Sequence, residues 1–359
     1  MTAAAAPGLA PGPDAAPAPA RERVPRAASA RRTMIGAGAL LIALVGAGAL
    51  SLMIGANPLG WDQVRDALRG SGTTETAYIV LDLRIPRTVA AVVAGAALGV
   101  AGALIQAFTR NPLADPGILG VNSGAALAIA LGVAVFGLRD ASAFVWPAFA
   151  GALCVTVAVY LIGSSGRGAA DPLRLTLAGV ALGAVFSGIT TGMTLSDPDA
   201  FDSMRSWNAG SVLGRGLEVT GTVAPFIVIG LLLAFVLAPG LNALALGDDV
   251  ARAQGARVLG IRWGVIAAVT LLAGSATALA GPIAFVGLMV PHIVRWIFGV
   301  DQRLIIVFSA LLAPVLVLLS DMLGRVIIAP AEVPVGIVTA FVGAPILIVL
   351  ARRRRASAL

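Results

Sequence analysis

The chain has 359 residues, is 58% hydrophobic and carries only 12% charge, about half the charge of a soluble domain of this size. Too little polar surface remains to solvate it, which excludes a soluble protein and leaves one embedded in lipid. All 25 basic residues are arginine. Without lysine the chain can build neither a G-x-x-x-x-G-K-[ST] phosphate loop nor a Schiff base, so any ATP hydrolysis linked to it belongs to another subunit.

Residues 1–32 are rich in Ala and Pro, with arginines from Arg21 to Arg32. Such a segment cannot bury a core and is expected to be a disordered cytoplasmic tail. It does not read as a signal peptide, because the apolar run that follows is too long for a signal core. The rest, 33–359, reads as one transmembrane domain. Apolar runs and Gly/Pro breaks predict helices over 33–54, 86–108, 117–136, 142–163, 173–194, 222–240, 262–281, 283–298, 304–324 and 334–351. Ten spans put both termini on one side. That arrangement places 17 arginines on the side of the termini and 8 on the other, which makes the termini cytoplasmic. Nine of the 17 lie in the tails, so the formal charge of +7 marks those tails rather than an affinity for nucleic acid.

Five stretches stand out from the apolar background. "LRIPRT" puts Arg84 and Arg87 at the outer mouth of the second helix. They read either as anchors snorkelling to the headgroups or as a docking site for carboxylates. "TRNPLADPGILGVNSGA" follows, with Asn111, Pro112, Asp115 and Pro116; it is either an ordinary interhelical turn or irregular backbone lining a cavity. "LGDDVARAQG" is a polar break bracketed by Gly247 and Gly255. Its acids, Asp248 and Asp249, precede Arg252, with Asp248 and Arg252 four apart, as in a short surface helix that a partner could grip. In "GPIAFVGLMVPHIVR", Gly281, Pro282 and Pro291 break the helix again. Near the last outer turn, Asp321 and Arg325 are four apart and suited to pair, with Glu332 close in sequence. Cys154 is the lone cysteine and His292 the lone histidine, so no disulfide, metal centre or catalytic group is expected.

Together these stretches and "EVPVGIVTAFVGAP" resemble, in order, the permease subunits of bacterial ABC importers for ferric siderophores, haem and vitamin B12. The resemblance covers nearly all of the chain beyond the N-terminal tail. It implies an all-α polytopic fold of about ten transmembrane helices with short interrupted helices, like the permease of the vitamin B12 importer. It implies a second permease subunit, identical or paralogous, two cytoplasmic subunits that bind ATP and Mg, and an extracytoplasmic binding protein. On this resemblance Arg84, Arg87 and Arg325 dock the binding protein. Leu246, Gly247, Asp248, Asp249, Arg252 and Gly255 form the loop that couples to the ATPase. Gate-forming helices fall around Gly183 to Trp207. Asn111, Pro112, Asp115, Pro116, Gly281, Pro282 and Pro291 are candidates for pathway or hinge.

The expected function is therefore the permease of an ATP-driven importer of a ferric siderophore in the bacterial cytoplasmic membrane, with no cofactor and no covalent chemistry of its own. Cobalamin or haem is the alternative cargo. An ion-coupled carrier acting alone would need a relay of intramembrane acids, and only Asp321 fits. A channel would need a selectivity filter, and none is visible.

Overall fold

A computed structural model describes residues 26–139, 142–164 and 172–352. Residues 1–25, 140–141, 165–171 and 353–359 lie outside the described residues. In chain order the helices are α1 (Arg26–Met53), α2 (Trp61–Leu68), α3 (Thr74–Ala77), α4 (Ile85–Thr109), α5 (Val121–Phe136), α6 (Val145–Gly163), α7 (Pro172–Ser196), α8 (Pro198–Asn208), α9 (Leu217–Ala245), α10 (Asp248–Ala253), α11 (Val258–Ala280), α12 (Val286–Phe298), α13 (Gln302–Ile327) and α14 (Val335–Arg352). There is no strand among the described residues.

Among the described residues, seven segments are long and apolar enough to cross a membrane: most of α1, the run from α3 through α4, α6, nearly all of α7, α9, α11 and α13. The shorter apolar helices α5, α12 and α14 bring the total to the ten expected. Most boundaries differ from expectation by a few residues, and three elements differ more substantially. Helix α1 starts at Arg26, so residues 26–32 of the expected tail are helical. Helix α9 extends well past the expected 222–240 at both ends. The second span does not open at residue 86, because a π-helical turn over Tyr78–Arg84 joins it to α3. Pro86 explains that turn: it has no N–H to donate, and the Ile85 N–H bonds instead to the Val80 carbonyl, one residue beyond α-helical register.

Helices α4 and α11 are the most buried spans. Helix α4 packs on α13, α11, α9 and α12. Its glycines make this possible. A Cβ at Gly95 would lie 2.7 Å from the Pro314 Cα, one at Gly99 would lie 2.8 Å from the Ser309 carbonyl, and one at Gly102 would overlap the Gly287 carbonyl. In lipid no hydrophobic force draws one apolar helix to another, so such close backbone approach supplies the packing. Helix α1, by contrast, is largely exposed, with Met34, Ile42 and Val45 facing outward as lipid contact requires.

Helix α12 has 13 residues, about 20 Å of helix against about 30 Å of hydrocarbon. The chain reaches it through the irregular segment 281–285, where Gly281 has φ 72° and Phe285 φ 67°. Backbone hydrogen bonds beside this segment tie its surroundings together. The Ser211 N–H donates to the Ala280 carbonyl at 2.7 Å, and the Gly336 N–H to the Gly210 carbonyl at 2.9 Å. Gly210, Gly281 and Gly336 meet at this point because a Cβ on any of them would strike backbone.

Candidate functional site

The charged groups collect at the two ends of the bundle. At one end, the last four carbonyls of α1 need partners. The Leu50 carbonyl accepts from the Ile54 N–H and that of Met53 from the Leu59 N–H. The Ser51 carbonyl accepts from Arg325 Nη1 at 2.8 Å, and the Leu52 carbonyl from Arg84 Nη1 at 2.6 Å. Arg84 also donates to the Asn57 carbonyl, and Arg325 to that of Ile54 at 3.1 Å. Two guanidiniums thus complete the C-terminus of α1, where the helix dipole favours positive charge.

Asp321, 1% exposed, sits between two of these arginines. Arg87 grips it through Nη2 at 2.8 Å and Nε at 3.0 Å, and reaches Glu332 through Nη1 at 2.7 Å. Arg325 donates to the other side of the same carboxylate, so the i,i+4 pair expected from sequence is present. The structure gathers Arg84, Arg87 and Arg325, the three residues expected to dock a binding protein, at this one end of the bundle. They are 6%, 7% and 2% exposed, with internal partners. Their burial is offset by Asp321 for Arg87 and Arg325 and by backbone carbonyls for Arg84. They do line a cavity of about 430 Å³, together with Asp82, Glu332 and Arg215. Burial lowers the Arg215 pKa from its ordinary value, with no acid offsetting it.

At the opposite end, Gly247 (φ 110°) swings the chain out of α9 into α10, and Gly255 (φ 81°) ends the excursion. Asp248 accepts from Arg110 at 2.5 Å and from Arg262 at 2.6 Å. It thereby ties α10 to the residue that caps the C-terminus of α4 and to the N-terminal part of α11. The expected Asp248–Arg252 pair is only a loose 3.9 Å contact, and Arg252 binds Asp249 at 2.8 Å instead. On the six residues of α10, the nearer i,i+3 partner wins over one already held by two arginines. Leu246 and Val250 are exposed on this turn. Cavities of about 510 and 400 Å³ flank Arg110, the first lined by Asp248 and Arg262, the second by Asn111, Pro112 and Gln302.

The pathway and hinge candidates do not form one site. Asn111 and Pro112 belong to the charged end just described. Asp115 caps the 3-10 turn Pro116–Leu119 through the Gly117 N–H at 2.8 Å, and burial raises its pKa against that hydrogen bond. Pro291 is buried within α12. Pro282 lines a fourth cavity, about 320 Å³, with Asn122, Ser123, Gly183, Ser187 and Asn208. Asn122 is held there by Thr277 at 3.0 Å. The chain around Gly183 to Trp207 is α7 and α8, broken at Asp197, which caps α8 through the Asp199 N–H. Among the described residues, no group of three or more Asp, Glu, His or Cys could hold a metal.

Sequence reasoning missed Arg110 and Arg262 as partners of Asp248, and Gly210 and Gly336 beside Gly281. For Arg110 the only local signal was its place in the "TRNP" break. The Asp-Pro at 197–198 did signal a helix start, through an N-cap followed by proline at N1.

Residues 41–353 match the FecCD transport family. The chain is 49% identical to the ferric enterobactin transport system permease protein FepD of Escherichia coli (strain K12), over 88% of this chain and 94% of that protein. It is 40% identical to the iron(3+)-hydroxamate import system permease protein FhuB of Bacillus subtilis (strain 168), over 85% and 80%. Its fold matches a solved structure described as an inward-facing conformation of a metal-chelate type ABC transporter, with TM-score 0.78 and 26% identity over 89% of this chain and 99% of that one. The chain is a polytopic membrane permease that belongs to the FecCD transport family.

Proposed function

We propose that this permease carries a ferric siderophore across the cytoplasmic membrane as the membrane subunit of an ATP-driven importer. The observation that carries the cargo class is similarity over nearly the whole chain to permeases named for ferric enterobactin and iron(3+)-hydroxamate. The termini and α10 face the cytoplasm, and the Arg84–Arg87–Arg325 end faces outward. A second permease subunit completes the pathway. Two ATP-binding subunits grip the α10 turn through exposed Leu246, Val250 and the Asp249–Arg252 pair. ATP binding moves α10, and Asp248 passes the displacement to α4 and α11 through Arg110 and Arg262. Access then alternates across the polar cleft at Asn122, Ser187 and Asn208.

At the outer end, an extracytoplasmic binding protein delivers its cargo. The Asp321-centred network holds the outer cavity in shape, and acids on that protein meet the arginines lining it. A large chelate needs little binding by the permease itself, which fits a cleft of glycines, hydroxyls and amides rather than charges. The test is uptake of radiolabelled ferric siderophores, with labelled cobalamin and haem in parallel, in cells with and without this gene. Loss of siderophore uptake alone supports the reading. Loss of cobalamin or haem uptake alone replaces the cargo.

A further inference from the structure

Four guanidiniums line the outer cavity, and their charges are not equally committed. Arg87 is bound by Asp321 and Glu332, and Arg325 by Asp321. Arg84 gives its hydrogen bonds to two carbonyls, which satisfy its donors but leave its charge unneutralised. Arg215 is 7% exposed, lies on the loop between α8 and α9, and among the described residues makes one hydrogen bond, a long 3.5 Å contact from Nε to the Ser211 carbonyl. Its Nη1 is buried without any partner. A charged group removed from water without a counter-ion is costly, and the least costly remedy would be an acid nearby or no arginine at all. No acid pairs with Arg215, although Asp82 and Glu332 line the same cavity, and its guanidinium lies on the wall of that cavity.

We infer that Arg215 is a docking residue: with Arg84 it receives a carboxylate of the extracytoplasmic binding protein, while Arg87 and Arg325 position the cavity wall. This rests on the docking reading above and revises which residues carry it. A guanidinium pair takes a carboxylate by charge-assisted hydrogen bonds, and a desolvated cavity strengthens them. Asp82, exposed at the rim, selects against partners that bring more than the one acid.

The test uses the intact permease–ATPase complex in lipid nanodiscs. The probe is the siderophore-binding protein of the same organism that stimulates its ATP hydrolysis. Binding is measured across a salt series for wild type, Arg215→Met, Arg84→Gln and Arg215→Glu. Arg215→Met removes an unpaired buried charge, so assembly and thermal midpoint stay the same or improve while Kd rises about thirtyfold and its salt dependence shrinks. Arg215→Glu abolishes binding, and reversing one acid on the binding protein to Arg restores it. If Arg215→Met leaves Kd unchanged while Arg84→Gln weakens binding, the Arg215 assignment falls and docking at Arg84 stands. If neither variant changes Kd, docking at this end falls as well. A complex that fails to assemble with Arg215→Met shows that Arg215 is structural, and also overturns the assignment.

Discussion

Asp321 and Asp248 are the carboxylates on which most of the paired arginines converge, and they answer to different physics. Asp321 is buried between Arg87 and Arg325, so Asp321→Asn leaves two guanidiniums without a full counter-charge. Breaking such a buried pair costs about 3–5 kcal/mol. The expected outcome is a lower unfolding midpoint in detergent and loss of assembled complex, read by fluorescence-detected size exclusion on heating. Asp248 is half exposed and holds elements that must move. Asp248→Asn weakens charge-assisted bonds of about 1.5–3 kcal/mol. ATP hydrolysis by the complex should persist while uptake falls about tenfold or more. Equal loss of both would show that Asp248 supports assembly rather than coupling. The exposed Arg139–Asp199 pair is a useful control: at 70% and 57% side-chain exposure it contributes about 0–1 kcal/mol, and Asp199→Asn should leave stability and uptake unchanged.

At the scale of helices, the α4 interfaces decide stability. Gly102→Ala places a methyl on the Gly287 carbonyl, where backbone must shift, at a cost of about 1–3 kcal/mol. Gly38, on lipid-facing α1, has open space around it, so Gly38→Ala should be neutral or slightly stabilising. Thermal midpoints of the two purified variants test this: equal midpoints would mean α4 and α12 are not packed as described. The sequence marked both positions only as glycines in apolar runs. What separates them is whether another backbone lies within van der Waals reach, which depends on the partner helix.

For the whole molecule, the orientation can be read by labelling. In a Cys154→Ser background, an impermeant maleimide should label Ser71→Cys in intact spheroplasts, and Asp249→Cys only after permeabilisation. The reverse pattern would invert the proposed topology and exchange the roles of the two charged ends.

The sequence by itself determined that the chain crosses a membrane about ten times and cannot hydrolyse ATP through a phosphate loop. Hydrophobic length and the absence of lysine are properties of composition that no packing can alter. It also marked the Pro/Gly breaks and the outer arginines. Only the tertiary structure decided what those groups do. Arg110 meets Asp248 across 138 residues, and Arg87 meets Asp321 across 234. Local patterns reach three or four residues along a helix, whereas these pairs are set by which helix ends the packed bundle brings together. The same packing turned Arg84 and Arg325 into caps for α1 and left Arg215, one arginine among 25, buried on the wall of the same cavity with no acid paired to it.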